Sequence, residues 1–397
     1  MPPPAPHPVY LHALATAVPP ASYSAAWASE LMQTHVPGRP ATRRIIRSLY
    51  RNSGIEKRHS VVDDWGQTTP TAGTPPEPLF FGPDGSRLPT PGTEARNRVY
   101  TQAARGLFEQ VARELVETTP GFRAADVTHV ITISCTGFFA PGPDIHVVRA
   151  LGLPGSTQRY HVGFMGCYAA FQGLKMAEAF CRADPEAVVL VLSVELCTVH
   201  LQFNDDTDDL LAGALFADGA AGALVSARPP EETGDRPVLE FGGFHADLAV
   251  EGEDDMAWTV GDQGFKMRLS TYVPAIIEAN LAPVVTTVLD RAGIEKNEVA
   301  WWAIHPGGRA ILDRVQASLG LADLQLGASR AVLRDYGNMS SATILFVLKA
   351  LLDGKGPRTG DAVFAMAFGP GLTLESGLFR LRGGPEGASQ DQDKGRS

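Results

Sequence analysis

The chemistry of this sequence centres on Cys167, which lies in the stretch VGFMGCYAAFQG at residues 162–173. Gly163 and Gly166 indicate a tight turn between a strand and an apolar helix, so we expect the thiol near a helix N-terminus. The free N–H groups and the dipole at such a position favour a thiolate. Free cysteines are also common as small core residues. The local sequence therefore leaves two interpretations open, a nucleophile or a packing residue.

A nucleophilic cysteine needs a base, and His305 has the best setting among the ten histidines. It follows the apolar run VAWWAI and precedes Pro306-Gly307-Gly308, where a side chain points into a cleft. Asn338 follows a turn at Tyr336-Gly337 and begins a buried helix. Its amide either caps that helix or donates a hydrogen bond to a developing oxyanion. A cysteine with such partners can act as a nucleophile that forms a covalent intermediate.

The elements that must position these residues alternate between strands and helices. Strands are predicted at 127–134, 187–193, 222–226, 299–304 and 362–367, and helices at 97–117, 167–182, 273–292, 307–319 and 339–353. Short apolar strands without polar alternation are typical of sheets that helices cover on both faces. The sequence therefore predicts an α/β fold. We expect two similar halves that meet near residues 229–235, although no sequence repeat marks a duplication.

Three segments fall outside this alternation. Residues 1–8 are rich in proline and residues 383–397 lack large apolar side chains, so both are predicted to be disordered tails. Residues 66–95 are rich in proline, glycine and threonine and are predicted to form a long, flexible surface loop. Within it, Leu79-Phe80-Phe81 is expected to attach the loop to the body.

The composition is that of an acidic globular protein, with 44% hydrophobic residues, 20% charged residues and a net charge of −10. This charge disfavours nonspecific binding to nucleic acid or to anionic membranes. Four cysteines without a CxxC pair do not indicate a disulfide framework, and we expect them to be reduced. The N-terminal residues lack the features of a signal peptide, and no uninterrupted apolar run is long enough to span a bilayer. The sequence thus predicts a cytoplasmic protein.

Five motifs, in order and with consistent spacing, resemble the type III polyketide synthases, the chalcone synthase-like enzymes of the thiolase superfamily. They are GFMGCYAAFQGLKMA around Cys167, IHPGGRAIL around His305, YGNMSSATILFVL around Asn338, LFADGAAGALV at 215–225 and AFGPGLTLE at 367–375. Cys167 and His305 are 138 residues apart, and His305 and Asn338 are 33 apart. The resemblance covers about residues 9–380.

The resemblance implies a thiolase-like fold, a layered α-β-α-β-α sandwich with an N-terminal half at 9–230 and a C-terminal half at 231–382. It implies that Cys167 accepts the acyl group from CoA. His305 would serve as its base and, with Asn338, would stabilise the enolate formed when malonyl-CoA loses CO2. Repeated condensation and cyclisation would follow. The implied enzyme is a homodimeric acyltransferase that uses acyl-CoA and malonyl-CoA, without a metal or redox cofactor.

The resemblance also assigns residues that shape the cavity and bind CoA. Phe216 matches one of the family's two gatekeeper phenylalanines, and Met267 stands in place of the other. The residues Phe368, Gly369, Pro370 and Gly371 match the family's cyclisation loop. The assigned CoA contacts are Arg47 and Arg51, from a basic cluster at 43–58, and the backbone near Gly308 and Ala310. A solvated helix face is the alternative interpretation of that basic cluster.

Small side chains in the predicted cavity wall bear on the starter unit. They are Cys135, Thr136, Ala140 and Cys197, a set that resembles bacterial alkylpyrone and alkylresorcinol synthases. An apolar slot stabilises an acyl chain by about 0.8 kcal/mol per CH2, which favours a medium or long fatty acyl starter. Cys135 equally suits malonyl-primed tetrahydroxynaphthalene synthases or related phloroglucinol-type enzymes. Trp258 and the polar His200 would narrow the same space.

Other functions use the same three residue types. The 3-oxoacyl-(acyl carrier protein) synthases III share the Cys/His/Asn set, and a cysteine hydrolase would release free acid from an acyl-CoA. A noncatalytic binding protein would not need all three residues. The GNMSSA and GPGLTLE motifs and the 138-residue interval favour the polyketide synthase.

Overall fold

The computed structural model describes residues 7–63, 78–232, 236–253 and 255–383. The strands are β1 Tyr10–Ala17, β2 Ala21–Ser24, β3 Lys57–Ser60, β4 His129–Ser134, β5 Gln158–Gly163, β6 Val188–Leu196, β7 Asp218–Ser226, β8 Val238–Leu248, β9 Met256–Gly261, β10 Gly264–Leu269, β11 Val299–Ile304, β12 Ala362–Gly369 and β13 Thr373–Arg382. The helices are α1 Ala25–His35, α2 Pro40–Asn52, α3 Thr93–Thr118, α4 Pro143–Leu151, α5 Ala169–Ala183, α6 Thr207–Leu215, α7 Val273–Ala292, α8 Arg309–Leu319, α9 Gly327–Tyr336 and α10 Thr343–Leu352.

Nine strands form one mixed sheet in the order β11-β12-β13-β8-β1-β7-β6-β4-β5. The runs β4-β6-β7-β1 and β11-β12-β13-β8 have the same order along the chain and the same pattern of parallel and antiparallel neighbours. They are therefore two copies of one topology, with β5 as an added edge strand. The copies join where β1 pairs with β8, through Tyr10–Glu240 and Leu11–Leu239.

Alternate side chains of each half-sheet enter different hydrophobic clusters because successive residues of a strand point to opposite faces. In β6, Leu190 and Leu192 pack in the cluster that contains α3, whereas Val189 and Val191 pack in the cluster that contains α5 and α10. In β12, Val363 faces the same α5/α10 cluster, while the opposite face packs against α7 and α8. The layers are thus α3, the half-sheet of the first copy, α5 with α10, the half-sheet of the second copy, and α7 with α8. The predicted α/β class and layered thiolase-like arrangement are confirmed.

All ten predicted strands and helices are present, with ends that differ by a few residues. The largest shifts are at the beginnings of three elements. α3 begins at Thr93 rather than at 97, β7 begins at Asp218 rather than at 222, and α10 begins at Thr343 rather than at 339, after a short 3-10 turn at Ser340–Ala342. Elements with mixed polarity, including α2, α9 and β13, were absent from the prediction. These elements either bury only one face or bury polar side chains among apolar ones. Neither an apolar run nor strict alternation therefore reveals them.

One described helix, α7, is long and apolar enough to cross a membrane by length and composition alone. It carries Glu278, Asp290 and Arg291, which interrupt its apolar residues. Its buried face, which includes Ile277 and Leu281, packs in the cluster formed with β11, β12 and α8. This is the packing of a core helix in a layered fold.

The predicted tails 1–8 and 383–397 lie outside the described residues, apart from residues 7, 8 and 383, and so do residues 66–77 of the predicted loop. From residue 78 onward, Leu79, Phe80 and Phe81 are buried in the first-half core. The following helix α3 begins at Thr93, before the end expected for the loop. The domain boundary near residue 230 stays a prediction.

Candidate active site

Cys167 lies in the turn between β5 and α5, two residues before the helix begins. Gly166 has φ +79°, a conformation that favours glycine, and a Cβ there would lie 2.4 Å from Cδ of Pro370. The glycine therefore allows the loop after β12 to pack directly on the turn that carries Cys167. Cys167 itself is buried, at 7% exposure, on the wall of an internal cavity.

His305 directly follows β11, and its backbone N–H donates to Met366 O at 2.8 Å. Its side chain is 1% exposed, and within the described residues neither ring nitrogen has a hydrogen-bond partner. An unpaired buried imidazole costs free energy unless a ligand completes its hydrogen bonds. The ring lines the same cavity as Cys167, so a substrate there can supply the missing partners.

Asn338 is held by its backbone between two parts of the chain. Its N–H donates to Leu215 O at 3.0 Å, and its carbonyl accepts from Ala217 N–H at 2.8 Å. Its Oδ1 accepts from Ser340 N–H at 2.9 Å, which assigns the amide orientation and leaves Nδ2 as the donor on the cavity side. The contact from Nδ2 to Gly307 O is long, at 3.3 Å. The structure therefore brings Cys167, His305 and Asn338 to one cavity.

Burial changes the acid–base properties of the cysteine and the histidine. It raises the pKa of the Cys167 thiol to about 12, an effect that side-chain hydrogen bonds with Ser340 and Asn338 partly offset. It also lowers the pKa of His305 to about 3. Both shifts reflect the cost of burying a single charge. A thiolate–imidazolium pair carries no net charge, so proton transfer from sulfur to imidazole would avoid much of the cost of burying either charge alone.

The cavity has a volume of about 370 Å³ and is mostly apolar. Its inner lining includes residues after β4 and after β11, the equivalent strands of the two halves. Of the predicted cavity and CoA residues, the following line it: Cys135, Thr136, Cys197, Phe216, Trp258, Met267, Gly308, Ala310, Phe368 and Pro370. The gatekeeper positions Phe216 and Met267 thus lie on one cavity wall.

Several predicted site residues lie elsewhere. Ala140 is exposed and lines no described cavity, while Arg47 and Arg51 are exposed on α2 and do not line the large cavity. Gly369 and Gly371 belong to the loop that lines the cavity through Phe368 and Pro370. A Cβ on Gly369 would lie 2.5 Å from Cδ1 of Tyr168, so this loop also packs closely on the turn that carries Cys167.

His200 connects two elements instead of facing the large cavity. Its Nε2 donates to Thr136 O at 2.7 Å, and its Nδ1 accepts from Phe265 N–H at 3.0 Å. Burial lowers its pKa to about 3, so the ring is neutral and satisfied on both sides. Trp258 makes a parallel connection, because its Nε1 donates to Cys135 O at 2.7 Å. The β9–β10 hairpin is thereby fixed over the loop that follows β4.

A second cavity of about 80 Å³ lies on the other side of Phe216 and Met267, the predicted gatekeeper residues. Its lining includes His200 and the apolar side chains of Trp27, Leu31 and Met32. Four residues line both cavities and form the shared wall: Cys197, Phe216, Trp258 and Met267. These four side chains therefore face the space near Cys167 on one side and the second cavity on the other.

Glu195 and Ser340 are prominent near the site but were absent from the sequence prediction. Glu195 is fully buried in β6 and accepts hydrogen bonds from Cys135 N–H at 3.0 Å and from Thr136 Oγ1 at 2.8 Å. Burial raises the pKa of its carboxyl. Ser340, at φ +46°, places Oγ 3.3 Å from Cys135 Sγ. The glutamate had a detectable signal, because it is the one charged residue in the apolar run VVLVLSVEL.

No group of three or more His, Cys, Asp or Glu side chains is placed to hold a metal ion among the residues that the structure describes. The chemistry available in the described site is that of a thiol, an imidazole and an amide donor. These groups can form a thioester and stabilise negative charge on a neighbouring carbonyl oxygen.

Comparison with known proteins gives consistent matches. Residues 77–229 match the family described as chalcone and stilbene synthases, N-terminal domain, and residues 246–382 match its C-terminal domain. The chain is 32% identical over 343 residues to the alpha-pyrone synthesis polyketide synthase-like Pks18 of Mycobacterium tuberculosis. The alignment covers 86% of this chain and 84% of the relative. It is 31% identical over 346 residues to the 1,3,6,8-tetrahydroxynaphthalene synthase of Streptomyces coelicolor, with 87% and 84% covered.

A solved structure of similar shape is that of PKS-I from the brown alga Ectocarpus siliculosus. The TM-score is 0.86 at 30% identity, and the alignment covers 95% of this chain and 99% of that one. The tetrahydroxynaphthalene synthase of Streptomyces coelicolor superposes with a TM-score of 0.80 at 27% identity, covering 94% and 100%.

Proposed function

The chain belongs to the chalcone and stilbene synthase family and is a type III polyketide synthase, and from this premise we propose that it extends a medium- or long-chain fatty acyl starter. The starter would be loaded from its CoA thioester, condensed repeatedly with malonyl-CoA, and cyclised to an alkylpyrone, an alkylresorcinol or a related phenol. The observation that carries this proposal is the second, largely apolar cavity behind the gatekeeper wall.

The loading step uses the coupled thiol and imidazole. His305 takes the proton of Cys167, and the thiolate attacks the acyl carbonyl. The tetrahedral adduct expels CoA as a thiol, with the proton returned from His305, and leaves the acyl group on Cys167. Asn338 Nδ2, oriented by the bond that Oδ1 accepts from Ser340, is available to donate to the oxyanion.

Extension uses the same donors on a different substrate. Malonyl-CoA breaks its bond to the carboxylate and releases CO2, and the electron pair becomes an enolate on the thioester. His305 and Asn338 both line the cavity beside Cys167, and hydrogen bonds from them would stabilise that oxygen. The enolate carbon attacks the Cys167 thioester and Cys167 leaves as thiolate. The extended chain then returns to Cys167 from CoA for the next round.

The starter proposal depends on chain length and volume. The large cavity must hold the growing polyketide, so an alkyl tail needs additional space. The second cavity offers it beside Trp27, Leu31 and Met32, provided that the wall side chains yield. Each CH2 that is buried there contributes about 0.8 kcal/mol, so three additional carbons would favour a longer starter by about 2.4 kcal/mol.

The test is a starter series with purified protein. Malonyl-CoA is supplied with acyl-CoAs from acetyl to palmitoyl, and products are identified by mass spectrometry, with Cys167→Ala as the inactive control. We expect turnover to rise with chain length and products that retain the alkyl tail. Highest turnover without added starter would refute the fatty acyl assignment. A requirement for malonyl-(acyl carrier protein), with one condensation only, would indicate the 3-oxoacyl synthase III reaction, and release of free acid alone would indicate a hydrolase.

A malonyl-primed synthase is the second candidate, and Cys135 favours it. The thiol lies on the cavity wall, near Ser340 and close to the nucleophile. Similarity to the tetrahydroxynaphthalene synthase of Streptomyces coelicolor points the same way. A small aromatic product formed from malonyl-CoA alone would support this candidate over the first.

We further propose that the enzyme is a cytoplasmic homodimer that needs no cofactor besides its CoA substrates. The edge strand β5 and the nearby Phe138 and Phe164, 54% and 39% exposed, support dimer formation because aromatic side chains at a sheet edge favour burial by a second copy. Light scattering on the purified protein should give twice the chain mass. A monomer at micromolar concentration would refute this part.

A further inference from the structure

The large cavity has a buried end and an open end with different chemistry. The buried end contains Cys167, His305 and Asn338, each less than a tenth exposed. At the open end the lining includes exposed side chains from the C-terminal part of α2 and the beginning of α8, among them Asn52 and Arg309. A thioester substrate would reach the thiol from this end, with its carrier group remaining at the mouth.

Arg309 is the one Lys, Arg, Asp or Glu among the described residues that line this cavity. Its side chain is 46% exposed, which places it at the mouth rather than at the buried end. Its nearest carboxylate, Asp313, is 4.0 Å away and is held by Arg330 at 2.8 Å. The positive charge of Arg309 is therefore only weakly compensated and is available to an anion.

The guanidinium is also oriented across the mouth. Its Nη2 donates to Asn52 Oδ1 at 3.4 Å, a long contact that joins α8 to the end of α2. Asn52 is 257 positions away in the chain and lines the same cavity. This contact holds the cation over the opening. Among the described residues the other guanidinium N–H groups of Arg309 make no hydrogen bond, so they can bind two oxygens of a phosphate.

We propose that Arg309, positioned by Asn52, binds the phosphate groups of the CoA nucleotide and thereby distinguishes CoA thioesters from thioesters that lack the nucleotide. The proposal rests on the proposed use of CoA thioesters. In this arrangement the acyl end reaches Cys167 and the phosphates remain at the mouth. Arg47 and Arg51 lie outside the cavity lining, so they contribute to the field around the mouth rather than to this contact.

The experiment compares three malonyl donors: malonyl-CoA, malonyl-dephospho-CoA and malonyl-pantetheine. Arg309→Ala should raise the KM for malonyl-CoA about tenfold, with kcat nearly unchanged, because it removes a charge-assisted contact made equally in ground and transition states. The KM for malonyl-pantetheine should not change. The KM for malonyl-dephospho-CoA shows which phosphate Arg309 contacts. If Arg309→Ala and the wild type have the same KM for this donor, the contact is with the 3′-phosphate that the donor lacks. If the variant has the higher KM, the contact is with the diphosphate.

Arg314→Ala is the matched control, since Arg314 lies on the same helix and is similarly exposed but pairs with Glu278 at 2.7 Å. It should leave all three KM values unchanged. Arg309→Lys should raise the KM for malonyl-CoA less than Arg309→Ala does. Combining Arg309→Ala with Asn52→Lys should lower that KM further, because it returns a cation to the other side of the same contact. An equal effect of Arg309→Ala on malonyl-CoA and malonyl-pantetheine would refute the inference. Absence of polyketide from wild-type protein with every donor would instead refute the proposed function.

Discussion

The dependence of the Cys167 thiolate on His305 gives the sharpest prediction. Alone in its buried site, the cysteine has a pKa of about 12. At pH 7 such a thiol would be ionised in about one molecule in 10⁵, because each pH unit below the pKa lowers the thiolate fraction tenfold. If His305 forms the coupled pair, most molecules hold the thiolate at pH 7. Replacing His305 by Ala or Gln removes the base and leaves the raised pKa.

Alkylation by iodoacetamide measures this fraction, since only the thiolate reacts appreciably. We expect labelling of Cys167 at pH 7 to be at least about 100-fold slower in His305→Ala and His305→Gln, a bound that allows for the lower nucleophilicity of a stabilised thiolate. In both variants the rate should rise with pH up to the alkaline limit of the assay. In the wild type it should level off below pH 8.

Peptide mass spectrometry separates the four cysteines, and Cys181 is the internal control. Its pKa is also raised to about 12, by burial, and it lies in the core away from the cavity. It should react slowly in every protein and show no response to the substitutions. Labelling of Cys167 in His305→Gln at the wild-type rate at pH 7 would refute the coupled pair, whereas faster labelling of Cys181 would reveal unfolding.

Three further substitutions test the cavity and its support. Trp258→Gly should join the two cavities and shift the starter optimum to longer acyl-CoAs; an unchanged product profile would contradict the shared wall. Burial raises the pKa of Asp218 to about 6, so the folded chain retains its proton more tightly than the unfolded chain, and stability should fall as pH rises from 4 to 7. In urea titrations, the free energy of unfolding of Asp218→Asn should fall by about 3 kcal/mol less than that of the wild type between pH 4 and pH 7. An equal fall in both proteins would contradict this prediction. Gly166→Ala should abolish activity and lower the Tm because the new Cβ would meet Pro370, whereas Gly152→Ala, also at positive φ but with nothing within 4 Å, should only lower the Tm slightly.

The sequence was sufficient for residues whose signal is local. His305 follows a buried strand, and both Cys167 and His305 have glycines within two residues. These local patterns predicted a turn at Cys167 and a cleft at His305 without knowledge of the other residue. The strands of the core were found for the same reason, because uninterrupted apolar runs have few alternatives in an α/β fold. The layered arrangement required the resemblance, since the repeated strand order of the two halves left no visible repeat in the residues.

Residues whose role depends on distant contacts were missed. Ser340 approaches Cys135 across 205 positions of sequence, and Arg309 meets Asn52 across 257. Nothing near either residue in the chain indicates the partner. Arg47 and Arg51, the predicted CoA contacts, lie outside the cavity lining, whereas Arg309, four residues after His305, belongs to it. Which arginine faces the cavity depends on how α2 and α8 pack against the rest of the fold, because that packing decides which face of each helix meets the cavity.

The pairing of β1 with β8 has a consequence for the newly made chain. The nucleophile belongs to the first half and its base and amide donor to the second, so on the proposed mechanism a ribosome-bound first half carries a cysteine without catalytic partners. Acyl-CoA that meets this half during synthesis finds no assembled reaction centre. The enzyme becomes competent only after its last strands have been translated and docked. Rapid reaction of Cys167 thus indicates that both halves of the fold have been made and have docked.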